Sequence, residues 1–419
     1  MTITKGKKTD TFISYLLVFI IIFISTKSST ISSSIFLTRF ITSILLILFL
    51  YGRLKIERKV VNITIYFFVF SLIMCYKYDD TNPFFDFLFY FIDVILLVYL
   101  ILKIVGSNFF IIYEKIVYKW SLYIFPLYIL QLIMPDSIFK LNQAVGSIFN
   151  VLSANIEREN YSNSIFFTMI NGVHKERNCG FMWEPGAFGA MLIIAFVIYL
   201  YSNRFKFNTK VVAYLLIILS TYSTTAYLNL LLIPFFYLFN SKTKNNVFVG
   251  SMSLIVAILF LNFSSSTVLD KINFQFSNLE SDLIRLDYNL EETIVLDRFA
   301  SLVFVVPKIQ DNYLVGTGWS YVNEIALEKT VSLSNGIAFY LVMFGLIGFI
   351  FFIYNIHKTG FIFFNSNKKQ SILFVIIVIN IGFSNPVLLL PFLVALQLYG
   401  YVDFQKKIER KKNSGVQYH

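Results

Sequence analysis

"WEPGAFGAMLIIAFVIYL" (residues 183–200) carries a single charge, at Glu184, and then runs apolar to Leu200. About 20 such residues cross the ~30 Å hydrocarbon core of a bilayer. The stretch therefore reads as a transmembrane helix that opens on a carboxylate, a proline and a glycine. Pro185 suits the first helical turn, where its missing amide hydrogen costs nothing. A carboxylate at that end interacts well with the helix dipole, and Trp183 fits the interfacial aromatic belt. Helix-start grammar accounts for Glu184. It leaves Arg177, seven residues upstream, unexplained, and also Gly186 and Gly189, where a second segment can approach the helix closely.

Runs of this kind recur along the 419 residues, which are 57% hydrophobic, 18% aromatic and only 14% charged. Soluble domains carry about 25% charged residues, so the chain reads as a polytopic membrane protein. The candidate spans are 11–26, 35–51, 60–76, 84–105, 117–134, 184–202, 211–223, 226–240, 246–263, 336–356, 371–384 and 386–402. The expected fold is all-α: a membrane helix bundle of about 12 transmembrane helices with two large outer loops. The first run follows Lys5, Lys7 and Lys8 but lacks a small-residue cleavage site, so no removable signal peptide is expected.

Loop charge supports that topology. With Met1 inside, the inner segments hold most of the 35 basic residues, among them Arg53, Arg58, Lys103, Lys119, Arg204, Lys210, Lys242, Lys369 and the basic tail from Lys406 to Lys412. This is the positive-inside bias, and it places both termini in the cytoplasm. The net charge of +11 is then mostly a topology signal. It also favours anionic lipid headgroups. No clustered basic face suggests a nucleic-acid partner. The divisions are N-terminal membrane helices (1–134), a first outer loop (135–183), membrane helices with a Ser/Thr-rich break (184–263), an acidic outer loop (264–335), and C-terminal helices with a basic tail (336–419). The acidic loop holds ten carboxylates against five basic residues. Within it, 285–305 reads as a helix against the membrane. Two stretches read as short hairpins, 211–240 turning at "STYSTT" (220–225) and 371–402 turning at "GFSNP" (382–386). Broken helices at membrane depth often line a binding site; an ordinary turn is the competing reading.

At this point the residues resemble a family. "RNCGFMWEPGAFG" (177–189) is similar to the signature of bacterial Wzy-type O-antigen and capsule polymerases, in the O-antigen polymerase/ligase superfamily. "LSTYSTTAYL" (219–228) resembles the Ser/Thr-rich break of that family, with Ala226 in place of the usual glycine. "DRF" (297–299), "LVGTGWS" (314–320) and "SNGIAFYLVMFGLIG" (334–348) resemble its outer-loop arginine, glycine turn and following helix. The likeness covers about residues 170–350 and leaves out the first five spans.

The resemblance implies a membrane glycosyltransferase in the plasma (inner) membrane that joins repeat units of O-antigen or capsule at the outer face. Donor and acceptor would be oligosaccharides linked to undecaprenyl pyrophosphate, with no metal or nucleotide-sugar cofactor and with a chain-length regulator as partner. Arg177 and Arg298 would bind phosphate, which guanidinium groups do bidentately. Arg298 has no carboxylate at helical neighbour positions, whereas Arg285 has Asp282. Glu184 is the candidate base for the acceptor hydroxyl. His174, Gly180, Pro185, Gly186, Ser223, Thr224, Thr225, Gly316, Gly318 and Asn335 are the expected substrate-binding positions. The superfamily's ligases carry a histidine–asparagine pair where the outer loop meets the next helix. Here Ser334 precedes Asn335, which favours chain extension over transfer to a lipid core.

Other readings stand beside it. Asp86 and Asp93 share a helix face, and Asp93 lies near mid-membrane, where a carboxylate is a functional candidate. A proton-coupled flippase or transporter of lipid-linked sugars would use it, or it makes a polar contact within the bundle, to a Tyr or Ser. Asp79 and Asp80 would suit a lipid-phosphate-sugar glycosyltransferase. Cys75 and Cys179 are expected as free thiols.

Overall fold

The computed structural model describes residues 7–28, 34–51, 58–78, 82–148, 161–164, 166–171, 175–239, 294–308, 312–318 and 331–402, with the single positions 273 and 277. Among the described residues the fold is all-α apart from two small strand pairs. Four helical stretches among the described residues are long and apolar enough to cross a membrane: Val60–Lys77, Phe84–Ile133, Pro185–Ser202 and Gly336–Phe363. Shorter apolar helices stand between them. A helix occupies each expected span except 246–263, which lies outside the described residues.

The chain opens with α1 (Lys7–Thr26), α2 (Ile35–Tyr51) and α3 (Arg58–Tyr78). Phe36, Ile47, Ile65 and Val69 on α2 and α3 face outward. The fourth expected span is not one regular helix. It comprises α4 (Asn82–Tyr90), a π-helical turn (Phe91–Leu96) and α5 (Leu97–Val105). A π turn inserts a residue and re-aims the side chains around it. Here it holds Asp93, which Arg39 of α2 meets at 3.1 Å while its guanidinium lies 4.2 Å from the Phe89 ring centre. The contact partner of Asp93 is thus an arginine rather than the Tyr or Ser expected. Gly106, with φ 73°, ends α5. After a 3₁₀ turn, α6 (Phe109–Ile133) begins earlier than the 117 expected from hydropathy.

The first loop contains a helix that hydropathy did not reveal, α7 (Pro135–Ile148), which packs on α6 and on β1 (Tyr161–Asn163). β1 pairs antiparallel with β2 (Thr168–Ile170). The central helix is α8 (Pro185–Ser202), buried on nearly every side and packed against α6 and α10 (Thr224–Phe239). A helix apolar all round belongs at the middle of a bundle. α9 (Thr209–Ser220) and α10 form the expected hairpin: Phe205, before α9, meets Tyr237, near the end of α10, at 5.2 Å.

In the second loop the described residues form β3 (Ile294–Leu296), α11 (Arg298–Lys308) and β4 (Val331–Leu333), with β3 and β4 parallel. The helix expected over 285–305 is corrected accordingly. Residues 294–296 are strand, because they pair with β4, and the helix starts at Arg298; 285–293 lie outside the described residues. The chain closes with α12 (Gly336–Phe363), α13 (Lys368–Ser384) and α14 (Pro391–Tyr399). α12 is interrupted at Gly345, with φ 62°. Residues 312–318 lie against that break. Leu346 N and Ile347 N donate to the Tyr313 and Leu314 carbonyls at 2.8 and 3.0 Å, and Thr317 N donates to the Val342 carbonyl at 2.6 Å. Hydrogen bonds lost at the break are thereby replaced, as buried backbone requires.

The bundle has two distinct ends. One gathers the end of α1, the loop before α8, the α9–α10 turn, the start of α12 and the α13–α14 turn. The other gathers Ser107, the α8–α9 loop, the end of α10 and the α12–α13 loop, through Tyr399 Oη to the Ser107 carbonyl (3.3 Å) and Asn367 Nδ2 to the Phe239 carbonyl (3.2 Å). α9 has 12 residues and α14 has 9, about 18 and 14 Å at 1.5 Å per residue. Both are short against a ~30 Å core.

Candidate functional site

Arg177 sits in the loop that leads into α8, and its backbone is clamped from two sides. From α6, Gln131 Nε2 donates to the Lys175 carbonyl (2.6 Å) and the Arg177 carbonyl (3.3 Å), and Tyr128 Oη donates to the Glu176 carbonyl (2.9 Å). From the end of α9, Ser220 Oγ accepts from Asn178 Nδ2 at 2.9 Å, and its carbonyl accepts from Asn178 N at 3.0 Å. Arg177 Nε itself donates to the Thr221 carbonyl at 3.4 Å. Gly180, with φ 58°, then turns the chain. A Cβ there would lie 2.5 Å from the Phe188 ring, so the loop presses directly onto α8.

Arg298 arrives from 121 positions later in the chain. The parallel pairing of β3 and β4 sets the first residues of α11 and α12 side by side. Asn335 caps α12, its Oδ1 accepting from Ile337 N (2.9 Å) and Ala338 N (3.1 Å), while its Nδ2 donates to the Arg298 carbonyl (3.0 Å). Ser334 Oγ donates to the Leu296 carbonyl at 2.7 Å. The Arg298 side chain then reaches the α13–α14 turn, where Nε donates to the Ser384 carbonyl at 2.8 Å.

Glu184 immediately precedes α8 in extended backbone (φ −152°, ψ 158°), and its carboxylate makes no capping bond. Asn385 takes that role. With the amide oriented by its surrounding donors and acceptors, its Oδ1 accepts from Ala187 N at 3.1 Å and its Nδ2 donates to Glu184 Oε1 at 2.8 Å. Two glycines make room for it. A Cβ on Gly186 would stand 2.6 Å from the Asn385 side-chain amide, and one on Gly336 would overlap the Asn385 backbone carbonyl. Helix-start grammar thus explains Pro185, while the Glu184 side chain makes no capping bond and accepts from Asn385 instead.

Both guanidinium groups respond to this carboxylate. Burial pushes Arg298 below the usual arginine value, and Glu184 and then Asp297 oppose that. Burial likewise lowers Arg177; Cys179 and Glu184 oppose it, and Arg298 adds to it. Arginine keeps its proton in proteins. The shifts therefore report two partly desolvated cations within electrostatic range of each other and of one carboxylate. A phosphate or pyrophosphate placed there would gain charge-assisted bonds and relieve the repulsion.

The expected site residues divide into three groups. Arg177, Glu184, Pro185, Gly186, Arg298 and Asn335 come together at one end of the bundle. Gly180 shapes the loop, Ser223 Oγ accepts from Ala226 N (3.4 Å) at the start of α10, and Thr225 is buried, while Thr224 is half-buried. Their hydroxyl-rich break does adjoin Arg177, through the Thr221 carbonyl. Gly316 and Gly318 are elsewhere. Gly316 packs on the Gly345 break, and a Cβ on Gly318 would lie 3.9 Å from Met74 and Phe87. His174 lies outside the described residues. Cys75 and Cys179 are not joined in a disulfide, and burial pushes the Cys179 thiol up to about 12. The residues that sequence reasoning missed are Asn385, Gln131 and Tyr128. "GFSNP" marked the first as part of a turn, but Gln131 and Tyr128 look like ordinary members of an apolar helix.

No family model, curated protein or solved structure matches the chain.

Proposed function

We propose that the chain is a membrane glycosyltransferase that polymerises surface polysaccharide, O-antigen or capsule. It would move the growing glycan from undecaprenyl pyrophosphate to a lipid-linked repeat unit at the outer face of the bacterial plasma membrane. The observation that carries this reading is the convergence of Arg177 and Arg298 on Glu184, from positions that the Wzy-like motifs single out. In this reading the chain crosses the membrane twelve times with both termini inside, the site end faces out, and Lys210 and Lys369 mark the inner end.

The chemistry follows from the three side chains. The acceptor hydroxyl gives its proton to Glu184 as its oxygen bonds to the anomeric carbon of the donor. The bond from that carbon to the pyrophosphate oxygen breaks, and the electron pair leaves with the pyrophosphate. Arg177 and Arg298 hold the charge that develops there, and fixed cations in a water-poor site do this best. Asn385 keeps the carboxylate aimed. The proton on Glu184 is then released to water. In this reading the short α9 and α14 would leave the turns at 221–223 and 385–390 recessed below the outer surface, within reach of a lipid pyrophosphate at the headgroup level.

Ser334 donates to the Leu296 carbonyl and holds the start of α11, a structural role with no base at that junction. That favours extension of chains on the lipid carrier over ligation to a lipid core. The test is purified full-length protein given lipid-pyrophosphate repeat units alone. A ladder spaced by one repeat is the expected product. Activity only after a lipid-core acceptor is added would overturn the polymerase reading in favour of a ligase.

A further inference from the structure

We propose that Tyr222 forms a sugar-stacking subsite beside Arg177, receiving a pyranose ring of the glycan on its exposed face. The inference rests on the glycosyltransferase reading for the nature of the ligand, and on separate observations for the place. Tyr222 lies in the break between α9 and α10 with φ 46°. A bulky residue in the left-handed region is a genuine outlier, where glycine or asparagine would sit at little cost. Its side chain is nonetheless large, and the residue is 56% exposed. Such strain persists only where the surroundings over-determine it, and it clusters at ligand sites.

The surroundings here do over-determine it. Tyr222 N donates to the Leu219 carbonyl at 3.2 Å, and Tyr227 Oη donates to the same carbonyl at 2.7 Å. On the other side Ser223 N donates to Thr221 Oγ1 at 3.3 Å. These bonds fix the backbone of the break, and the Tyr222 side chain leaves it on the open side. Next to it, the Thr221 carbonyl accepts from Arg177 Nε. Tyr128 and Tyr227 are both electrostatic neighbours of the Tyr222 phenol, and Arg177 is a neighbour of Tyr227. A phosphate-binding cation and an open aromatic face therefore share one corner of the site. A lipid-pyrophosphate glycan offers the matching pair, an anion joined to a sugar ring with an apolar C–H face and a hydroxyl rim. Phenol rings suit that face, with an apolar body and a polar tip.

An exposed tyrosine near the end of a membrane helix can also serve as an interfacial anchor, and the experiment separates the two roles. Lipid-linked repeat units accumulated in cells lacking the gene are cleaved by mild acid to give the soluble oligosaccharide. Saturation-transfer NMR then measures its binding to the full-length protein in detergent. Wild type and Tyr222→Phe should bind alike. Tyr222→Leu, which keeps an apolar anchor but loses the flat ring, should bind about tenfold more weakly with an unchanged thermal midpoint. Absence of binding to wild type overturns the proposal, as does equal binding by Tyr222→Leu. Tyr222-dependent binding without any polymer ladder would break the polymerase reading and leave the sugar subsite standing. A ladder without Tyr222-dependent binding would do the reverse.

Discussion

Each end of the bundle holds a carboxylate among cations, and the two are treated differently. At the end away from the site, Glu114 is 5% exposed and receives Lys210 Nζ at 2.6 Å and Tyr214 Oη at 2.8 Å. The same ammonium lies 4.3 Å from the Tyr118 ring centre and 4.4 Å from that of Tyr199. One cation serves one carboxylate, in contact, and aromatic faces cover the cation. At the site, two guanidinium groups face Glu184, and a neutral amide, Asn385, donates to it. The first arrangement is complete within the protein and holds α9 to α6. The second concentrates positive charge around a carboxylate kept off the helix cap, and under the proposed function an anionic substrate would complete it.

The sharpest way to break that contrast is to remove the arginines. Arg298→Ala and Arg177→Ala should each lower chain extension by about a thousandfold, the scale of losing ~4 kcal/mol of charge stabilisation in a dry site. Both proteins should still insert and accumulate. The measurement is the repeat-unit ladder per mole of purified protein. Losses below tenfold in both variants would mean that the two cations serve only the fold.

Asn385→Ala should cost less, about ten- to a hundredfold in rate. It removes one bond to a charged group, worth about 1.5–3 kcal/mol. Asn385→Asp keeps the acceptor for Ala187 N but sets a second carboxylate against Glu184, and should be worse than Ala. The reverse order would show that helix capping, and not the aim of Glu184, is what Asn385 supplies.

Lys210→Met turns the contrast around. It leaves Glu114 buried without its cation, and breaking a buried pair costs about 3–5 kcal/mol. Thermal stability in detergent should fall clearly, while the ladder per folded molecule stays at the wild-type level. A selective loss of activity would mean that the Lys210 end also contacts substrate or is coupled to the site.

The sequence was most legible where physics is local. A described helix lies at each expected span but 246–263, and helix-start chemistry placed Pro185 at the first turn of α8. Gly186 announced a close approach without saying by what; its neighbour, Asn385, is about two hundred positions away. α7 escaped notice because its amphipathic pattern is that of a helix lying on a surface rather than crossing one. The 294–296 strand escaped because three residues become a strand only when a partner, here 331–333, is beside them. Arg298 was singled out for lacking a carboxylate at helical spacing, a test that assumed helix on both sides. Its charge neighbour is Glu184, from another element altogether. Gln131 and Tyr128 carry no sequence signal at all, since their task is to hold backbone carbonyls.

The smallest effect is expected at Asp93. On sequence alone it was the best candidate for proton coupling, because an isolated carboxylate at that depth is costly. Arg39 answers it across α2 and the π turn at 3.1 Å, so the carboxylate has a fixed cation, as Glu114 does. Arg39 is partly open, with 41% of its side chain exposed, and Asp93 is less so at 14%; at the depth expected from the sequence that open face meets lipid rather than water. Asp93→Asn keeps an oxygen that can accept from the Arg39 guanidinium. Because the pair lies away from the Arg177–Arg298 end, the variant should extend chains at close to the wild-type rate per inserted molecule. The assay is polymer formed by proteoliposomes with and without an imposed proton gradient. Equal yields in both conditions, for wild type and variant alike, fit a structural pair. A gradient-dependent wild type that Asp93→Asn silences would move the protein to the transporter reading and make the π turn, rather than the arginine end, its working part.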